Sequence, residues 1–349
     1  MKLNIPGKKL ATLASVAMFS FGALTFMSMP GMAQSIPPKK ASARDSNLSS
    51  IPVPFYQDGT LFLAQVKKPT VGQSQTTELS RQSIRNNIYR LADVNPLTGM
   101  FLYQTIDPRN QDDFAAITTW LGNANGETTS VLKGAGYVKL SPGGQYIAAV
   151  DREGTLHIVD RGGKELAVLG KASAAVFSPD GYRIAFFNTI PYSVGDARGI
   201  SVVDLVSGQT IATYRPDGKA YFPLAFSADG STLYFTTAAP LKQGQTYHQD
   251  ENRVNVYALA IPSKNVTLIT TGAQKLPYMD YRRVEYLAGA SLLVLAAETT
   301  VWIVNTRTGN IQTFPNSLDV ISVGSVTTLL VRPSAANIPD GTWNVLNPR

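Results

Sequence analysis

The chain contains no cysteine. That excludes a disulfide framework, thiolate metal sites and a cysteine nucleophile, and it removes the residue that an N-terminal lipid anchor would need. Histidine is almost as scarce, with only His157 and His248 in 349 residues. Any triad or metal site that uses imidazole must draw on one of these two. His157 falls in a strand-like stretch and reads as a satisfied sheet histidine. His248 lies in a polar stretch with Tyr247, Asp250 and Glu251, but one imidazole and two near-adjacent carboxylates make poor metal spacing. No Gly-x-Ser-x-Gly elbow, phosphate-cradling glycine loop or His-Glu-x-x-His motif occurs. No catalytic residue, cofactor or metal is therefore assigned. Charge is also sparse, at 16% against 44% apolar residues, so the chain can bury a large core.

What the chain has in abundance is a refrain. It runs Tyr137-Val-Lys-Leu-Ser-Pro-Gly-Gly-Gln-Tyr-Ile-Ala-Ala-Val150, then Ala174-Ala-Val-Phe-Ser-Pro-Asp-Gly-Tyr-Arg-Ile-Ala-Phe-Phe187, then Phe222-Pro-Leu-Ala-Phe-Ser-Ala-Asp-Gly-Ser-Thr-Leu-Tyr-Phe-Thr236. Each copy is an apolar strand, a tight turn and a second apolar strand. Pro presets φ for the turn, Asp caps its own backbone and Gly accepts positive φ. The leading serines at 141, 178 and 227 are 37 and 49 residues apart, the period of propeller blades.

A second hairpin follows each refrain. Its third strand exits at Asp160, Asp204 or Asn305, read as caps of the coming turn. Units of four strands, A to D, begin near 87, 135, 172, 220 and 276. The last unit has three strands, Asp319 to Gly324, Thr327 to Arg332 and Gly341 to Leu346, and Thr60 to Val66 is available as its fourth. The sequence thus predicts an all-β fold over 51–349, a six-bladed β-propeller of four-stranded blades closed by an N-terminal strand. Seven blades result if Ile51 to Val66 instead begins its own blade. A short helix is expected around Glu78 to Arg85.

Residues 1–33 read as an export signal. Lys2, Lys8 and Lys9 precede an uncharged, mostly apolar stretch, and Gly31-Met32-Ala33 offers small residues for cleavage. The stretch is also long enough to span a bilayer, so an uncleaved anchor is the competing reading. Residues 34–50 read as a flexible linker. Removing residues 1–33 takes away three Lys and no acid, so the formal charge falls from +7 to +4. With no basic cluster interleaved with aromatics, nucleic-acid binding is not expected, and membrane contact is expected only through an uncleaved N-terminus.

The refrain, with Ile200-Ser-Val-Val-Asp-Leu-Val-Ser-Gly-Gln209 after it, resembles the WD-like repeats of the TolB propeller family, strongly over 135–260 and weakly at both ends. That resemblance implies a six-bladed, periplasmic propeller that binds envelope proteins. The family carries an α/β domain before its propeller, and residues 34–50 cannot form one.

Recognition is expected on the face where the B–C loops lie, because these differ most between units. The loops at 107–113, 188–198 and 238–252 supply Asp107, Arg109, Asp112, Asp113, Tyr192, Asp196, Arg198, Lys242, Tyr247, His248, Asp250 and Glu251, with Arg253 at the start of the next strand. The leading reading is an exported, non-catalytic scaffold for protein–protein contacts in the cell envelope. A lactonase- or quinoprotein-like enzyme using the central funnel is one alternative. Glycan or peptidoglycan binding is the other, and it calls for exposed aromatics such as Trp120, Trp302 and Trp343.

Overall fold

The computed structural model describes residues 49–70, 72–95, 98–110, 113–187, 199–214, 220–238, 253–270, 275–277, 281, 283–297, 300–315, 317–323, 328–333 and 342–346. In chain order, β1 (Ser50–Gln57), β2 (Thr60–Lys67) and β3 (Gln75–Asn86) come first. Blade one is β4 (Arg90–Asn95), β5 (Met100–Ile106), β6 (Ile117–Gly122) and β7 (Thr128–Lys133). Blade two is β8 (Ala135–Leu140), β9 (Tyr146–Asp151), β10 (Thr155–Asp160) and β11 (Glu165–Lys171). Blade three is β12 (Ala175–Phe177), β13 (Arg183–Phe187), β14 (Ile200–Asp204) and β15 (Thr210–Tyr214). Blade four is β16 (Ala220–Phe226), β17 (Thr232–Ala238), β18 (Arg253–Ala260) and β19 (Asn265–Leu268), with β20 (Leu276–Pro277) added against β18. Blade five is β21 (Arg283–Leu287), β22 (Leu292–Ala297), β23 (Thr300–Asn305) and β24 (Ile311–Pro315). The chain ends with β25 (Ser317–Val323), β26 (Thr328–Pro333) and β27 (Thr342–Leu346).

These strands form six antiparallel sheets, and the fold is a six-bladed β-propeller. The strands β4, β8, β12, β16, β21 and β25 touch in that order, and β1 contacts both β25 and β4. The apolar core lies between the blades rather than at one centre. Six buried clusters fill the six gaps; Ala148, Val150, Leu156 and Ile158 of blade two, for example, meet Ala175, Ile184 and Phe186 of blade three.

The refrain turn is closed by backbone bonds from Gly144, Gly181 and Gly230 to the carbonyls of Ser141, Ser178 and Ser227, at 2.7, 2.8 and 2.9 Å. Each of these glycines has positive φ, as the sequence predicts. The serine has a further role. Buried in all three copies, it accepts a bond at Oγ from the first residue of the next strand: Tyr146, Arg183 and Thr232, at 3.0, 2.9 and 3.0 Å. It thereby satisfies a backbone donor that the turn would leave unpaired. The third-strand caps are also in place. Asp160 Oδ1 accepts from the N–H groups of Gly162 and Lys164, Asp204 Oδ1 from Val206 and Ser207, and Asn305 Oδ1 from Arg307 and Thr308.

Ring closure uses an N-terminal strand, but a different one from Thr60 to Val66. The strand beside β27 is β3, through Gln75–Thr77, while Glu78–Asn86 of β3 pair with β2. The segment expected to hold a short helix is therefore the strand that joins the two ends of the chain. Its polar pattern carries little period of its own, and its partners on either side set its conformation. The closing blade is consequently double, six strands in the order β1-β2-β3-β27-β26-β25. Both of its end strands point back toward the ring, and β1 packs beside β25 and β4. The hairpin β1–β2 turns at Asp58-Gly59, both at positive φ, the conformation of a two-residue type I′ turn.

The inner edge of that sheet is chemically finished. Lys68 N donates to Ser49 O at 2.9 Å, continuing the unbroken β1–β2 register. Odd-numbered residues of β1 therefore bond to β2, and Pro52 and Pro54 both face the open edge, where their missing N–H groups deny a ladder to any further strand.

Candidate functional site

The described part of the B–C face is built by blades one and two. After β5 the chain makes a compact loop. Asp107 Oδ1 accepts from Arg109 N at 3.0 Å, Asp107 O accepts from Asn110 N at 2.9 Å, and Asn110 O accepts from Asp113 N at 3.0 Å. Asp113 then caps the 3-10 turn Phe114–Ala116 by accepting from Ala115 N at 2.9 Å. Arg109 Nε lies 3.5 Å from Asp107 Oδ1, with 91% of the arginine side chain exposed. Asp113 Oδ1 meets Arg152 Nη1 of the next blade at 3.8 Å. That contact shows that the B–C connections of neighbouring blades share one face. Both are solvent-exposed pairs, worth at most about 1 kcal/mol, so these charges remain available.

Of the candidate residues, Asp107, Arg109 and Asp113 come together here. Arg253 opens β18 and is paired with Pro277 through the backbone. Asp112, Tyr192, Asp196, Arg198, Lys242, Tyr247, His248, Asp250 and Glu251 lie outside the described residues.

A cluster that the sequence did not mark sits beside Arg152. His157 on β10 has its Nε2 3.0 Å from Asp151 Oδ2 and its Nδ1 2.7 Å from Glu165 Oε2. Burial favours the neutral imidazole, but hydrogen bonds and charge from Asp151 and Glu165 outweigh it and raise the His157 pKa above 6.5. Burial likewise pushes the Asp151 carboxyl up; the His157 hydrogen bond, the Thr155 N–H, and the His157 and Lys171 charges overcome it and hold the carboxyl below 3.8. Asp151 also accepts from Thr155 N at 2.7 Å, closing the β9–β10 turn. His157 is thus a bonded sheet histidine, as its sequence position predicts. Its partners are six and eight residues away, and only the β9-β10-β11 register, with bulges at Leu156/His157 and Ile158/Val159, unites them.

Two inner-strand carboxylates, Asp93 and Glu285, are engaged. Asp93 accepts from Lys139 Nζ and from Leu140 N, both at 2.8 Å, across the gap between blades one and two. Glu285 accepts from Arg283 Nε at 2.7 Å. Among the described residues no group of three or more His, Asp and Glu is placed to hold a metal ion. Trp343 and Trp302 are buried at 1% and 9% exposure. Trp120 stacks on Tyr103 at 6.2 Å and donates to Thr105 Oγ1 at 3.0 Å. All three tryptophans pack between blades.

This geometry belongs to a propeller, and a solved structure agrees in fold. A chain titled Kuenenia stuttgartiensis Hydrazine Synthase superposes with a TM-score of 0.56 at 12% identity, over 83% of this chain and 92% of that one. The tricorn protease gives a TM-score of 0.48 at 12% identity, over 87% of this chain and 34% of that one. At such identities the likeness concerns the fold alone. No family model matches the chain, and no curated protein matches it.

Proposed function

We propose that this protein is an exported β-propeller that serves as a non-catalytic scaffold, binding an envelope protein through its B–C loop face. The observation that carries this reading is the contact between Asp113 and Arg152. It places the most variable loops of adjacent blades side by side, with exposed charges on a rigid support. The engagement of Asp93 and Glu285 by Lys139 and Arg283 supports a structural rather than a chemical use of the inner strands. The burial of Trp302 and Trp343 speaks against a row of glycan-stacking aromatics. The TolB-like refrain and the signal-like N-terminus support a periplasmic or secreted location.

The test has two arms. An alkaline phosphatase fusion after residue 50 is expected to be active only if residues 1–33 export it; an inactive fusion overturns the location. Affinity capture at native expression is then compared between the wild type, the loop variants Arg109→Glu and Arg152→Glu, and a control on the opposite face, Arg161→Glu. The scaffold reading expects the same partner to be lost from the loop variants and kept by the control. Equal recovery in all of them overturns it.

A further inference from the structure

We propose that Asp151, His157 and Glu165 form a proton-dependent brace that fixes the β9–β10 turn, and with it Arg152, on the B–C face. The use of that brace, as a pH control on partner binding, rests on the function proposed above; the brace itself does not.

The argument is geometric. Both ring nitrogens of His157 lie within hydrogen-bond distance of a carboxylate oxygen, at 3.0 and 2.7 Å. A neutral imidazole has one donor and one lone pair, so one of these contacts would set a lone pair against an anion. Only the imidazolium donates to both. The three residues belong to three places in the blade: Asp151 ends β9, His157 lies on β10 and Glu165 opens β11. A proton on His157 therefore ties the turn to the outer strand.

The turn depends on the same carboxylate. Asp151 Oδ1 accepts from Thr155 N at 2.7 Å, and Asp151 O accepts from Gly154 N at 3.1 Å. Lys171, at the far end of β11, donates to Glu153 O at 2.9 Å and to Thr155 Oγ1 at 2.8 Å. The charged groups around His157 are thus Asp151 on β9, Arg152 and Glu153 in the turn, and Glu165 and Lys171 on β11. From blade one comes Asp113, paired with Arg152. When His157 loses its proton, one of its two carboxylate contacts loses its donor and the tie from Asp151 through the ring to Glu165 is cut, while the turn keeps its backbone bonds, the Asp151–Thr155 bond and the Lys171 bridge.

The signs follow from linkage. His157 has a raised pKa, so its contribution is complete below pH 6.5 and is lost as pH rises through the folded value. Asp151 has a lowered one, so its contribution is present above pH 3.8 and is lost as pH falls through the folded value. The brace is closed between those limits and opens on the alkaline side.

The test uses the full chain and needs no partner, so its failure is distinct from failure of the scaffold reading. The two histidines are followed by NMR across pH 5–10, with His248→Gln assigning the signals. The His157 ring is expected to show two protonated nitrogens at pH 6 and a midpoint above 6.5. Asp151→Asn and Glu165→Gln should each lower that midpoint. The protection of the Gly154 and Thr155 amides, taken relative to their intrinsic exchange at each pH, should fall through the same midpoint in the wild type and in His248→Gln, but not in His157→Gln. The opening equilibrium should change by about ten-fold for each unit by which the midpoint is raised. A midpoint at or below 6.5, one that ignores Glu165→Gln, or amide exchange independent of the His157 proton overturns the proposal.

Discussion

The guanidinium carbon of Arg332 lies 4.0 Å from the ring centroid of Phe55. The pair joins β26, near the end of the chain, to β1, the first described strand. Arg81 of β3 approaches the same ring at 5.1 Å, and Trp343 of β27 meets it edge-on at 6.1 Å. Phe55 is therefore the point at which three segments of the closing blade converge.

Phe55→Ala should be among the most costly single changes in the protein. Its side chain is fully buried, so truncation leaves a cavity and removes the cation–π contacts, at a cost of about 3–5 kcal/mol. Arg332→Met keeps much of the volume and should cost less, about 1–2 kcal/mol. Urea unfolding measures both. Equal and small effects would mean that the termini are held together elsewhere.

The ion pair across blades one and two makes a second prediction. Asp93 and Lys139 are 2.8 Å apart, with side chains only 6% and 20% exposed. Asp93→Ala strands a largely buried ammonium and the Leu140 N–H, at a cost of about 3 kcal/mol. The pair replacement Asp93→Leu with Lys139→Met should recover much of that loss. A double variant no more stable than Asp93→Ala refutes the assignment.

The refrain turn can be read through a titration. Asp229 accepts from Ser227 Oγ at 2.6 Å and from Ser231 N and Oγ, and these bonds hold its carboxyl down at about 2. In Ser227→Ala the carbon-detected midpoint of Asp229 should move up toward 3.8. The folded value lies below the unfolded one, so the stabilisation is present above pH 3.8 and disappears as pH falls through about 2. Ser227→Ala also removes the acceptor of Thr232 N, at about 1 kcal/mol at neutral pH. An unmoved Asp229 midpoint would sever the link between them.

Two glycines with similar φ should respond differently to alanine. Gly163 has φ 82° and Gly59 has φ 77°. A Cβ on Gly163 would fall 2.0 Å from Val131 O of the neighbouring blade, whereas one on Gly59 meets nothing within 4 Å. Gly59→Ala should cost about 1 kcal/mol for the strained φ alone. Gly163→Ala should cost clearly more, because backbone must move. Matching losses in thermal melts would count against the close approach at Gly163.

The signal for the blades was local and strong. The bonds that close the turns at Ser141, Ser178 and Ser227 and the caps at Asp160, Asp204 and Asn305 come from within a few residues, and those from Asn95, Arg161 and Arg183 to the turn carbonyls are additional. Residue type and spacing are therefore enough to predict the turns and caps. β3 was the failure, because a polar segment such as Gln75–Asn86 has no apolar period to announce its state. Its partner Asn344 is 269 residues away. The loop residues Asp107, Arg109 and Asp113 are legible as exposed candidates from loop length alone, but the meeting of Asp113 with Arg152 is not.

The sequence by itself thus determined the repeat, the hairpin turns, the all-β class and the scarcity of cysteine and histidine. These depend on local chemistry and on composition. Only the tertiary structure decided that β3 joins both ends of the chain and that Phe55 lies beneath Arg332. It likewise decided that His157 sits between Asp151 and Glu165. The physical reason is that strand register and the packing of one blade on the next choose which residues meet: the partners of β3 and of Phe55 lie far off in the sequence, and Asp151, His157 and Glu165, although close in sequence, meet only through the bulged register of three strands.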